Sequence, residues 1–209
     1  PEITGQAHQS RVLRSLHLAN QNADRYGLRM SFYGASTEYV LHSLLWLVDN
    51  PEPVSSLDLA ELQNIPAAFV AKLLPKLEKA GLLNAAEGLK GGYTLAKPAD
   101  EITVLAIVDA VDGEKRLFNS QEIRGRCALF DENPPGWATQ GVCGIHAVML
   151  RAEQAMRREL AQTSLADLAK SVRDKAPSPF LGEAQTWLDE RVQTRRTNKV
   201  RQKRRSDSA

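Results

Sequence analysis

Between Pro66 and Lys97 the hydrophobic pattern changes its period, and that change limits the fold more than any other feature of the chain. The stretch "PAAFVAKLLPKLEKAGLL" sets Phe69, Val70, Leu73, Leu74 and Leu77 at helical spacing, which gives the helix one core face. Pro66 suits a first helical turn, where no backbone N–H is needed, and Gly81 is a natural C-terminal stop. The next stretch, "LLNAAEGLKGGYTLAK", is not helical. It reads as two short strands, Leu82 to Ala86 and Tyr93 to Ala96, around a glycine-rich turn that contains Lys90.

Two helices are expected upstream. In "EYVLHSLLWLVDN", Glu38 to Asn50, apolar residues Val40, Leu41, Leu44, Leu45 and Val48 follow helical spacing until Pro51 and Pro53 end the run. In "SSLDLAELQNI", Ser56 is the expected cap, with Leu57, Leu59, Ala60 and Leu62 facing inward. Three helices followed by a hairpin, with two of the helices joined by a short turn, is the order of a winged helix-turn-helix. The expected fold class is therefore mainly α with a small β-hairpin wing. A fourth helix, "ITVLAIVDAVDG", packs behind it. A long helix from about Ile145 to Leu160, continuing through "TSLADLA", carries the stripe Ile145, Val148, Met149, Ala152, Ala155, Met156 and Leu160. That stripe is wide enough to bury against another helix. The expected partner is the same helix of a second subunit, because DNA-reading winged helices act as dimers on two half-sites. The other reading packs the stripe onto its own domain.

Composition narrows the function classes. With 209 residues, 43% hydrophobic and 25% charged, the chain can bury one ordinary core. The densest apolar run, "YVLHSLLWLV", is far shorter than a membrane span of roughly 18 residues and carries His42. The polar opening segment shows no apolar leader core, so a cytoplasmic location is expected. The net charge of +2 conceals an asymmetry: "RVQTRRTNKVRQKRR", Arg191 to Arg205, holds eight Lys or Arg and no acid, leaving 19 basic against 25 acidic residues elsewhere. Nucleic-acid binding would then rest on local clusters and this tail, not on a general positive field. Nothing resembles a nucleophile elbow or a pair of poised carboxylates, and "GLKGG" sits in a hairpin turn instead of between strand and helix, so an enzyme is not expected.

Both cysteines, Cys127 and Cys143, fall in "GRCALFDENPPGWATQGVCGIH". Two thiols cannot complete a metal site alone, so a disulfide, two bystander thiols and part of a coordination shell all stay open. A reducing compartment favours the last two. On the first helix Glu38 and His42 stand at i and i+4, which puts a carboxylate and an imidazole on one face, one turn apart. Most pairs at that spacing are ordinary surface or core residues. Zinc accepts Cys and His ligands, but the loop has no C-x-x-C knuckle.

The segment from Leu28 to about Ala169 resembles the Rrf2 family of winged-helix regulators, typified by the iron-sulfur cluster assembly regulator and the nitric-oxide-sensitive repressor. The matching words are "LRMS", "IPAAFVAKLLPKLEKAGLL", "GLKGGYTLAKPADEITVLAIVDAVDG" and "GVCGIHAVMLRAE". The resemblance implies a recognition helix presenting Ala67, Ala68, Phe69 and Lys72 to the major groove of double-stranded DNA. Alanines touch only thymine methyls or backbone, so hydrogen-bonded base readout would be sparse. Lys72, Lys76 and the wing residue Lys90 read as phosphate contacts. Where the family often has a wing arginine, this chain has Glu87.

Cluster-carrying family members usually present three cysteines on the loop before the dimerisation helix. Here Cys127 and Cys143 occupy two of those places and Ser120 stands at the first, where a serine oxygen is a poorer iron ligand than thiolate. The word "EYVLH" resembles a redox-sensing branch in which a glutamate and a histidine of the first helix join two loop cysteines, from both subunits, around a [2Fe-2S] cluster. That branch implies the ligand set Glu38, His42, Cys127 and Cys143, with Cys127 either substituting at the place of Ser120 or standing aside. His146 resembles the histidine ligand of the cluster-assembly regulator. Mixed ligation suits [2Fe-2S], as in Rieske centres. The implied protein is a homodimeric DNA-binding regulator, a repressor, whose cluster senses redox state or nitric oxide; the alternative is a cluster-free repressor of the same family. The expected organisation is a disordered extension over 1–28, a winged helix-turn-helix over 29–113, a cluster-binding loop over 114–144, a dimerisation helix region over 145–172 and a basic, largely disordered tail over 173–209.

Overall fold

Helix α1 spans Ala35–Leu45, α2 spans Ser56–Leu62 and α3 spans Ala67–Lys79 in the computed structural model, which describes residues 32–88, 91–130 and 133–206, with side-chain surroundings described as far as 194. Residues 1–31 and Lys90 lie outside the described residues. The cap of α2 is Ser55, one residue before the expected Ser56. Its hydroxyl accepts from the Asp58 N–H at 3.1 Å and donates to the Asp58 carboxylate at 2.8 Å. Helices α2 and α3 stop in the same way. Asn64 (φ 51°) and Gly81 (φ 69°) take the left-handed conformation, Ile65 and Leu82 donate back to the carbonyls of Ala60 and Leu77, and Asn64 and Gly81 donate to those of Glu61 and Glu78. Each is a Schellman closure, which satisfies carbonyls that the helix end leaves open. Helix α3 runs through Pro75, which is exposed, so the carbonyl that loses its helical donor there faces the solvent side.

The core gathers where these helices meet the hairpin. Leu44, Leu59, Leu74, Leu77 and Ile107 are fully buried, with Val40, Val54, Val70 and Leu73 around them. Two residues expected to face inward do not: Leu57 is 51% exposed and Phe69 44% exposed, because a pattern of apolar residues marks a face without marking its edge. Strands β1 (Leu83–Ala86) and β2 (Gly92–Leu95) pair antiparallel, with Leu83 opposite Leu95 and Ala86 opposite Gly92. Val54 adds a bridge on the outer side of β2, exchanging bonds with Tyr93 at 2.8 and 3.1 Å. Gly92 is required there: a Cβ on it would lie 2.5 Å from the Val54 carbonyl. The architecture is mainly helical with a two-stranded wing, as the period change indicates.

Helix α4, Val104–Asp112, is capped by the Thr103 hydroxyl and packs on α1 and α3. A loop with two 3-10 turns, Arg124–Arg126 and Ala128–Phe130, and the four-residue helix α5, Gly136–Thr139, leads to α6, Gly144–Gln162. The expected continuation of this helix through "TSLADLA" is corrected by the structure. Thr163 is extended, its carbonyl accepts from Val104, and Ser164 opens a separate helix α7, Leu165–Arg173, through a capping box with Asp167. The expected disordered tail from 173 is corrected as well. Helix α8 spans Ser178–Ser206, and Ala184, Leu188 and Val192, four residues apart, are buried along one face. Charge density alone had marked this segment as tail, whereas its first half carries a helical apolar stripe. Among the described residues no helix is long and apolar enough to cross a membrane.

Candidate nucleic-acid interface and sensor loop

Opposite its buried face, α3 presents Ala68, Phe69 and Lys72 as exposed residues, with Ala67 half-buried. The Phe69 ring meets Tyr39 of α1 edge to face at 5.8 Å between centroids. The turn before α3 is tied to the same helix: the Gln63 amide donates to Ser43 Oγ at 3.1 Å and to the Leu59 carbonyl at 2.9 Å, while the Ser43 hydroxyl donates to the Tyr39 carbonyl at 2.7 Å. A helix whose approach turn is held in this way presents its first residues in a set orientation, which groove recognition requires. Lys76 has an internal partner. Its ammonium donates to the Val111 carbonyl at 2.7 Å, in the last turn of α4, where a cation also complements the helix dipole. Glu87 is exposed just beyond β1.

The loop between α4 and α6 is closed by Arg124. Its guanidinium donates to both carboxylate oxygens of Glu122, at 2.6 and 2.8 Å, and to the carbonyls of Gln140 and Gly141, at 3.3 and 2.9 Å. The hydrogen bond from Arg124 holds the Glu122 carboxyl below the usual carboxylate range, and the same bond raises the guanidinium further. Ser120 Oγ accepts from the Glu122 N–H at 3.3 Å. Cys143 occupies the N-cap position of α6 without a side-chain capping bond, its carbonyl accepting from the Ala147 N–H, while Cys127 is exposed and its carbonyl accepts from Phe130. The His146 ring lies 5.9 Å from Phe118. Helix α6 is fastened at two places, to the start of the loop and to the winged domain. Glu153 accepts from the Leu117 N–H at 2.8 Å, and Arg157 forms a two-pronged pair with Asp109 at 3.1 and 2.8 Å.

The donors expected for a cluster sit on two separated elements. Glu38 and His42 are exposed on α1, and His42 lines a cavity of about 460 Å³ with Trp46, Asp49, Arg173 and Phe180, between α1, α7 and α8. Cys127 and Cys143 are on the loop. Among the described residues no three His, Cys, Asp or Glu side chains gather where one metal could be held. Within one protomer Glu38, His42, Cys127 and Cys143 therefore form no four-donor site as they stand. Sequence reasoning missed Arg124, Arg157 and the pairing of Arg191 with Glu61. Apart from the Arg124–Glu122 pair, these contacts link residues 16 to 130 positions apart, and no local spacing signals them.

Comparison with known proteins decides what this arrangement is. The family model described as "Iron-dependent Transcriptional regulator", Rrf2, matches residues 33–171. The chain belongs to the Rrf2 family. It is similar to the protein rrf2 of Nitratidesulfovibrio vulgaris, with 32% identity over 146 residues, 70% of this chain and 83% of that one. Two solved structures share the Rrf2 fold: IscR of T. potens, with a TM-score of 0.51 at 22% identity over 73% of this chain and 94% of that one, and CymR, the global cysteine regulator of B. subtilis, with 0.50 at 24% over 69% and 98%. Rrf2 proteins are DNA-binding transcriptional regulators and not enzymes. Helix α8 lies beyond the matched Rrf2 segment.

Proposed function

We propose that this Rrf2 regulator is a cytoplasmic repressor that acts as a homodimer joined along α6, reading an operator with α3 and the wing. One observation carries the dimer: α6 has 19 residues and buries none of them in its own protomer, leaving Ile145 69% and Val148 53% exposed. Met149, Met156 and Leu160 are only half-buried, and at about 25 cal/mol per Å² of apolar surface the exposed part of the stripe forgoes a stabilisation that a second α6 would recover. The loop over 114–144 is the sensor, and the ligand set Glu38, His42, Cys127 and Cys143, contributed by two chains, is the proposed seat of a [2Fe-2S] cluster responsive to redox state or nitric oxide. The separation of the α1 donors from the loop donors within one protomer supports a two-chain site over a one-chain site.

A second reading rests on Arg124, which closes the loop with protein groups alone. A cluster-free repressor would bind DNA with the same affinity in the presence of chelator, reductant or nitric oxide. Anaerobic purification followed by a visible spectrum, iron and sulfide counts and sedimentation decides between the two. The expected result is a coloured dimer whose affinity for duplexes selected from a random pool changes on reduction. A colourless, iron-free protein, even with Ser120→Cys, sinks the cluster reading; a monomer at working concentration sinks the dimer.

A further inference from the structure

Rrf2-type DNA reading needs cations at the phosphates, and here the recognition helix supplies few. Ala67, Ala68 and Phe69 carry no charge, Lys76 is engaged with Val111, Lys72 and Lys79 are the remaining cations of α3, and at the wing Glu87 offsets Lys90. Outside the segment 191–205 acids outnumber bases. Phosphate neutralisation, which dominates affinity for duplex DNA, must then draw on another element.

We propose that α8 is a second DNA-contacting element, a basic arm that is anchored on the helix-turn-helix and grips the phosphate backbone beside the recognition helix. The anchor is built from packing and charge. Ala184, Leu188 and Val192 are buried, Trp187 packs against the core, and Arg191 stacks on the Trp187 ring at 4.5 Å while pairing with Glu61. Glu61 is in the last turn of α2, and only the turn through Pro66 separates that helix from the first residue of α3. The arm thus leaves the body next to the segment that delivers the recognition helix. From Arg191 the helix continues to Ser206, a run of about 22 Å at 1.5 Å per residue. Over that run the sequence holds Arg195, Arg196, Lys199, Arg201, Lys203, Arg204 and Arg205 and no acid. Arg191, Arg195, Lys199 and Lys203 follow one another at i, i+4, a spacing at which like charges oppose the helix. A polyanion laid along the arm relieves that repulsion, and duplex DNA is the polyanion this protein is proposed to read.

The inference rests on the DNA-binding reading and is tested separately from it. A chain ending at Thr194 keeps every anchor residue, and a full-length variant with Arg195, Arg196, Lys199 and Arg201 all changed to Gln keeps the length. Both are compared with the intact chain by fluorescence anisotropy on a labelled duplex selected from a random pool by the intact chain, and on an unrelated duplex, across a potassium chloride series. Unchanged circular dichroism melting serves as the folding control. The expected result is at least a tenfold loss of affinity for both duplexes and a log K against log salt slope shallower by about 3 to 4 for the four substitutions, at roughly 0.9 per phosphate contact. Unchanged affinity and slope overturn the arm while leaving operator binding intact. Variants that bind DNA like the intact chain but lose binding to single-stranded RNA or to phosphatidylglycerol vesicles overturn it in favour of that other partner. Failure of the intact chain to bind any duplex removes the underlying reading itself.

Discussion

Arg157 of α6 reaches Asp109 of α4 with both guanidinium prongs, at 3.1 and 2.8 Å, and both side chains are less than one third exposed. This is the contact through which a movement of the proposed dimer helix would be passed to the winged domain. Arg157→Ala is expected to cost about 1–2 kcal/mol, the range for a charge-assisted pair that is partly shielded. Chemical denaturation of the single variants and of Arg157→Asp with Asp109→Arg checks this; if the exchange restores nothing, the pair is not the fastening.

Changing Ile145 and Val148 together to Glu places two charges on the exposed stripe of α6 without touching a buried residue. Sedimentation is expected to show a monomer with near-normal circular dichroism, and affinity for a two-half-site duplex should fall more than tenfold, since each half-site then binds alone. A variant that stays dimeric places the interface elsewhere.

Lys72 and Lys76 stand one turn apart on α3 but are expected to behave differently. Lys76→Met removes the bond to the Val111 carbonyl and should lower stability by about 1 kcal/mol. Lys72→Met should leave the melting midpoint in place and reduce the salt slope of DNA binding by about 1. Melting curves and salt titrations on both variants separate the roles, and identical behaviour would contradict the assignment.

Gly92→Ala brings a methyl to 2.5 Å from the Val54 carbonyl and must push β2 off its bridge. A loss of about 1–3 kcal/mol is expected, as for other overpacked sites. Amide exchange should localise the damage to Tyr93 and Val54, whose mutual bonds hold the wing to the body.

Glu122 carries a depressed carboxyl because Arg124 hydrogen-bonds to it. A lowered folded pKa means that the contact contributes in full above the ordinary glutamate range, near about 4.3, and is lost as pH falls through the lower folded value. Carbon NMR titration of the carboxyl should place its midpoint below the ordinary glutamate range, and Arg124→Gln should return it to that range. A midpoint that does not move in the variant would show that Arg124 is not the cause.

Much of the winged domain is legible in residue spacing alone. The stripe Val70, Leu73, Leu74 and Leu77, the stop at Gly81 and the strands around the wing turn are local patterns, and local patterns are written in residue spacing. Boundaries slipped where two neighbours compete for one job, as Ser55 and Ser56 do for the cap of α2, or where a polar residue can cap a new helix, as Ser164 does within a run that reads as continuous. The proposed DNA face is a reading of residue types, and the engagement of Lys76 with Val111 was not legible, because the two are 35 positions apart.

By itself the sequence determined the order of helices and hairpin, the resemblance to a regulator family and the residue types available for DNA and for metal. Tertiary structure alone decided the rest. It turned a basic tail into a helix seated by Ala184, Leu188 and Val192, let Arg124 close the loop between α4 and α6, and left Glu38, His42, Cys127 and Cys143 ungathered within one protomer. The reason is physical: periodicity records which face of an element is apolar, whereas a long-range ion pair or a donor cluster depends on how separate elements are brought together, and that is set by the packing of the whole core.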